Sequence, residues 1–278
     1  MPALSRPAFA ASWRIDVRIE KHGAAITNLD EWLQHAGPKT PEKQWVEGRS
    51  AMEAARAWLE GAPNGPPKEI GDLLRSHMDF RNVVIDQVEP EARVSFDTRR
   101  GEPRNADLVI IGHDDYGPFA GSVEAIADET FDQRVSEVLD AALERTVANP
   151  RSGGVERVVE LVRGLVPPRV PDSVSIGDLR YQLLTGVAGT LALAAEHHAA
   201  RAVFIVHVFE TDKTSSRRLE ANANDANQFV RRLSSGAVSN LEDGVLVGPI
   251  QVRGAALSAK PAALYIGKAT RRLSDPMS

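Results

Sequence analysis

The spacing of apolar and polar positions predicts strands alternating with helices. Residues 201–209, RAVFIVHVF, are nearly all apolar and rich in β-branched side chains, which predicts a strand buried on both faces. Two shorter β-rich runs, 107–111 and 119–126, flank a polar stretch at 113–118 and predict a β-hairpin, with Gly117 and Pro118 as breakers. Residues 13–20 alternate apolar and charged. Residues 82–88 and 93–96 predict two more strands, separated by Glu89-Pro90-Glu91, and 245–252 and 263–266 predict short late strands at an edge. Helical spacing predicts helices over 41–60, 69–78, 131–146, 155–165, 175–198 and 222–233, with a short one capped by Asn28. Within the longest, Gly186 and Gly189 each cost about 1 kcal/mol relative to Ala if exposed. Close packing of a small-residue face is therefore expected there.

This order predicts an α/β fold: a central mixed β-sheet flanked by helices. Short links between the strands before residue 126 favour antiparallel pairing. The helices before 201–209 allow a parallel crossover. We read residues 1–278 as a single domain, with a core of about 41–210 and a C-terminal extension of about 211–278. Pro167 to Pro171 is the best candidate break.

The hairpin carries the candidate chemistry. With Gly112 opposite Phe119, antiparallel register puts Asp107 opposite Glu124. Facing side chains in such a pair have Cβ atoms about 4.5–5.5 Å apart, where like charges destabilise the sheet. A hard divalent cation between the two carboxylates is one resolution; a frayed strand end with one acid facing water is the other. Asp97 and Asp86 are alternative ligands, with Asp97, at a strand end, the better placed. His113-Asp114-Asp115 reads as an exposed polar turn, and His207 as a satisfied buried histidine. Asp128 shares the face of Glu124 if the strand continues; otherwise Asp128 and Glu129 start the next helix, where acids suit the dipole.

An Asp on one strand and a Glu on the next, flanked by helices, resembles the PD-(D/E)XK nuclease superfamily. The phrases GRSAMEAARAWLEG (48–61), GEPRNADLVIIG (101–112), VEAIADETF (123–131), LRYQLLTGVAGTLALA (179–194) and RAVFIVHVF (201–209) resemble a bacterial family with that pattern. The resemblance implies a restriction-endonuclease-like core and Mg²⁺-dependent (or Mn²⁺-dependent) hydrolysis of nucleic-acid phosphodiesters. It places metal ligands at Asp107 and Glu124, with the backbone carbonyl of Ala125 as a third, and adds an acid, Glu53, from the preceding helix. Gln182 is the matching substrate contact, and Arg104 and Arg49 are candidates to meet phosphate. One position departs from the pattern: the motif lysine two residues after the Glu is Ile126. Ile cannot orient or deprotonate water, and no lysine occurs between Lys68 and Lys213. The alternative is a catalytically inactive relative that binds nucleic acid or a protein partner. An unrelated hydrolase ranks last, because no GxSxG elbow occurs.

Composition narrows little further. A net charge of −5 gives no support to a broadly basic nucleic-acid binder, though a local basic groove remains compatible with it. The absence of cysteine removes disulfides and thiolate metal sites and fits a reducing, cytoplasmic setting. The first residues lack the apolar run of a signal peptide, and no stretch reaches the ~20 apolar residues of a membrane span.

Overall fold

In the computed structural model, which describes residues 17–99, 102–253 and 262–273, the expected strands close into one sheet. β1 (Arg18–Lys21) and β2 (Ala24–Ala25) form a small hairpin. In the strand expected over 13–20, residues 13–16 lie outside the described residues. α1 (Leu29–Ala36) is capped by Asn28, whose side chain accepts the Glu31 N–H. The helix expected over 41–60 is two: α2 (Pro41–Gln44) and α3 (Ser50–Gly61). Gly48 lies between them at φ +79°, a left-handed conformation that ends helical propagation. α4 (Lys68–Arg75) precedes the antiparallel meander β3 (Val84–Val94), β4 (Arg104–Asp114) and β5 (Gly117–Ile126). Then follow α5 (Val135–Ala148), α6 (Gly154–Leu165) and α7 (Tyr181–Glu196). The chain continues through β6 (Arg201–Glu210), α8 (Ser216–Leu233), β7 (Leu246–Ile250) and β8 (Ala263–Arg272).

The sheet is mixed and flanked by helices, as the pattern implied. Its strand order is β2-β1-β3-β4-β5-β6-β8-β7. β6 runs parallel to both β5 and β8, reached by the long crossover through α5, α6 and α7. The late strands are less peripheral than expected: β7 is the edge, but β8 inserts between it and β6. Two apolar clusters cover the two faces. One joins the sheet to α1, α3 and α4 through Trp32, Trp58 and Leu73; the other joins it to α5–α8 through residues such as Leu161, Leu184 and Phe229. No helix among the described residues is long and apolar enough to cross a membrane.

Three local expectations change. β3 runs unbroken through Glu89-Pro90-Glu91. β1 pairs with β3 only at Gln87 and Val88, so Pro90 lies where no outer strand needs its missing N–H. The hairpin turn is shorter than expected, because β4 extends to Asp114 and β5 begins at Gly117. Asp114 is consequently no exposed turn residue: it is buried and accepts two bonds from Arg201, at 2.5 and 2.6 Å. The helix expected over 175–198 begins as a 3-10 turn, Ile176–Asp178, with the Ser175 hydroxyl accepting the Gly177 N–H.

The close packing expected of α7 centres on Gly186. A Cβ there would lie 2.5 Å from the Phe204 ring, whereas one at Gly189 would meet nothing nearer than 3.5 Å. Gly186→Ala should destabilise the fold by roughly 1–3 kcal/mol through overpacking. Gly189→Ala should leave stability within about 1 kcal/mol of wild type, helped by helix propensity. Urea denaturation of the two variants distinguishes these effects.

Candidate functional site

Residue alternation along β3 and β4 changes face at one level of the sheet. Val88 and Leu108 pack in the cluster under α3, whereas Ala92, Val94 and Ala106 pack in the cluster under α7. Register pairs Pro90 with Leu108 and Ala92 with Ala106, so Glu91 and Asp107 stand together at the change. Glu91 accommodates it with φ +49°, a left-handed backbone that is uncommon for a side chain of this kind. Beside it, the β4–β5 ladder follows the expected register, Gly112 opposite Phe119, as far as Leu108 opposite Val123. There the Asp107 carboxylate takes over and accepts the Ala125 N–H at 2.8 Å.

Asp107 and Glu91 line a cavity of about 150 Å³ between the sheet and α3. Glu129, just past β5, lines it as well, and Trp32, Trp45, Arg49 and Ser50 complete much of its wall. All three carboxyls are held above their ordinary range. Burial pushes Glu91 up to about 7, aided by neighbouring Asp107, against the pull of Asn105, Lys21 and Lys39. Burial also raises Glu129 to about 7, with Asp128 adding to the effect and a Ser50 hydrogen bond opposing it. Asp107 is raised by burial, while the Ala125 N–H and Arg104 pull it back.

The structure does not bring the expected pair together. Glu124 turns to the opposite face, where its buried carboxylate forms an ion pair with Arg104 and accepts from Gln182 Nε2 at 3.1 Å. Arg104 lies along Gly186 and Gly189 of α7, and burial lowers its guanidinium pKa to about 10. The shared cation site therefore loses its premise: the register is as expected, but the change of face separates the carboxylates. Ala125 meets Asp107 through its N–H, not its carbonyl. Glu53 is buried in α3 and accepts from the Gly48 N–H at 2.8 Å and from Arg56 at 3.2 Å, which fastens the loop before the helix. Asp97 is engaged by Arg157 at 2.6 Å, and Asp86 lies 2.7 Å from His113.

Among the proposed substrate contacts, Arg49 does reach the cavity but is paired with Asp128 at 3.1 Å. Arg104 and Gln182 instead share a groove on the α7 face with Tyr181 and Arg157. Ile126 belongs to the core on that same face. Among the described residues, no group of three or more His, Asp or Glu side chains is placed to hold a metal ion. His207 is buried as expected and meets Glu69 at 3.0 Å through Nε2, although its Nδ1 has no partner among the described residues.

Sequence reasoning missed Glu91, Glu129 and the aromatic wall. Glu91 read as a linker because of Pro90, and Glu129 read as part of the next helix. Extending the hairpin-sum rule to the preceding strand pair would have set Glu91 beside Asp107. Trp32 and Trp58 are buried in the core, whereas Trp45 is half-buried at the cavity.

A family model described as a domain of unknown function (DUF6946) matches residues 25–270. The chain belongs to that family. Neither the curated proteins nor the solved structures include a match. The DUF6946 match runs from β2 to β8 and so takes in every residue that lines the cavity.

The raised carboxyls set a pH dependence. An unfolded Glu titrates near 4.3, so between roughly pH 4.5 and 7 the folded protein binds more protons than the unfolded chain. Their contribution to stability therefore falls as pH rises through that window, and the full penalty is present above it. Glu91→Gln and Glu129→Gln should each be more stable than wild type at pH 8, with the difference shrinking toward pH 5. Urea midpoints at the two pH values check this.

Proposed function

We propose that this protein is a non-hydrolytic relative of the nuclease-like folds, and that its acidic cavity binds an ammonium or guanidinium group presented by a protein partner. The observation that carries this reading is the convergence of Glu91, Asp107 and Glu129 on one cavity walled by Trp32 and Trp45. A cation there would let the carboxyls ionise, and an indole face adds attraction worth about 0.5–2 kcal/mol. Arg49, the cation already present, is occupied by Asp128. The order helix, β3-β4-β5, helices, β6 supports the nuclease-like resemblance. Hydrolysis has less support: Glu124 is engaged by Arg104, and Ile126 packs on the other face.

Calorimetry with n-butylguanidinium and n-butylammonium tests the proposal. Both should bind, about tenfold more tightly at pH 8 than at pH 6 because ionised carboxylates favour the cation. Asp107→Asn should remove most of the affinity. Binding of Mg²⁺ or Mn²⁺ that both Asp107→Asn and Glu124→Gln abolish would overturn this reading in favour of a metal-dependent enzyme.

A second reading, nucleic-acid binding, draws on the groove of about 580 Å³ that holds Arg104, Arg157, Gln182 and Tyr181. Arg104 Nη1 is buried there without a hydrogen-bond partner among the described residues, so an anionic group is one way to satisfy it. Fluorescence anisotropy with labelled single-stranded DNA and RNA checks this, with a Gln182→Ala variant expected to weaken any binding. In neither case should Ile126→Lys create nuclease activity, because position 126 does not face Asp107. Cleavage of DNA or RNA by that variant, in Mg²⁺ or Mn²⁺, would show that the lost lysine alone had silenced an enzyme.

A further inference from the structure

A second cavity, separate from the acidic one, lies on the opposite face of the sheet. It occupies about 240 Å³ between α8 and the carboxyl ends of the parallel strands β5, β6 and β8. Crevices at the carboxyl ends of parallel strands are recurrent ligand sites in α/β sheets. Its lining is mostly apolar: Ile126, Phe131, Val206, Val208, Leu219 and Ala226. The volume falls just below the usual range for small-molecule sites, about 300–1,000 Å³.

Five polar residues join this lining: Glu210, Glu220, Asn222, Lys268 and Thr270. Asn222 is 5% exposed, and its Nδ2 donates to the Glu129 carbonyl at 2.8 Å. That bond fixes the orientation of the amide and leaves Oδ1, a buried acceptor, with no donor among the described residues. Leaving a buried acceptor unmatched is costly, so a ligand whose N–H reaches Oδ1 after a small turn of the amide recovers that cost. Lys268 adds a positive charge at the strand ends, in a bridge position beside Asp243, whose carboxylate accepts from Thr270. The other polar side chains here are engaged or exposed. Thr270 donates to Asp243 at 2.6 Å, Glu210 is paired with Arg272 at 3.0 Å, and Glu220 is exposed.

We infer that this cavity binds a small apolar acid carrying an N–H donor, of the N-acyl amino acid class. The apolar body fills the space over Ile126, Val206 and Val208. The N–H meets Asn222 Oδ1, and the carboxylate lies toward Lys268. The site lies across the sheet from the acidic cavity and touches it only through the Asn222 bond to the Glu129 carbonyl.

Three probes separate the contributions: N-acetyl-L-leucine, N-acetyl-L-leucinamide, which lacks the anion, and 4-methylpentanoate, which lacks the N–H. Titration of the full chain followed by NMR should show N-acetyl-L-leucine shifting the methyl signals of Val206, Val208 and Ala223. The other two probes should bind at least about tenfold more weakly. Lys268→Met should reduce N-acetyl-L-leucine to the affinity of its amide. Asn222→Leu should reduce it to that of 4-methylpentanoate while leaving the latter unchanged. Ala223→Trp, which puts an indole at a lining position of the cavity, should abolish all binding in a folded protein. No methyl shifts with wild type at millimolar probe, or equal affinity for all three probes, would overturn the inference. So would binding that survives Ala223→Trp.

Discussion

The paired change of face at Glu91 and Asp107 is the constraint on which the rest of the arrangement depends. Two adjacent antiparallel strands cannot exchange their buried faces independently, because each ladder step couples their pleats. When β3 switches at Glu91, β4 must switch at Asp107. The left-handed backbone of Glu91 and the side-chain bond from Asp107 to Ala125 are the local adjustments. Their result is an acidic cavity under α3, while Glu124, on a strand that does not switch, keeps its carboxylate under α7. The separation of these two acids parts the pair expected to share a metal and leaves Asp107 with Glu91 and Glu129 around one cavity.

The buried charges elsewhere act differently. Arg201 with Asp114 is a matched pair, and Arg104 meets Glu124 inside the protein while its Nη1 has no partner among the described residues. Such pairs add little net stability, yet removing one partner alone costs roughly 3–5 kcal/mol because the other is left charged and buried. Arg201 also meets the Gly117 carbonyl, so this pair locks the hairpin turn to the start of β6. The cavity carboxyls meet neutral donors instead: the Ala125 N–H at Asp107, Asn105 at Glu91 and Ser50 at Glu129.

Much of the fold was legible in the sequence because it follows from hydrophobic period and turn chemistry. The RAVFIVHVF strand, the hairpin register and the glycine face of α7 are all consequences of local pattern, and the structure reproduces them. The site was less legible. Residues 107 and 124 obey a simple alternation up to the one level where alternation fails, and no residue type announces a change of face. Glu91 adopts a conformation that sequence preference assigns to Gly or Asn. Asp114 looked like a turn because its partner, Arg201, lies in a strand reached only after three helices. Long-range pairing of this sort has no local signature.

The insertion of β8 between β6 and β7 bears on how the chain is made. β6 is apolar on both faces, and one of its edges is sealed only when β8 arrives. During synthesis, everything from Thr211 through Ala262 must emerge before that edge finds its partner. An open, flat, hydrophobic strand edge is a template for pairing with other chains. Translation thus imposes a waiting period in which the centre of the sheet is its most adhesive part. α7, already made when β6 emerges, packs against Phe204 on one of its faces, so the exposure that lasts until β8 arrives is that of the edge.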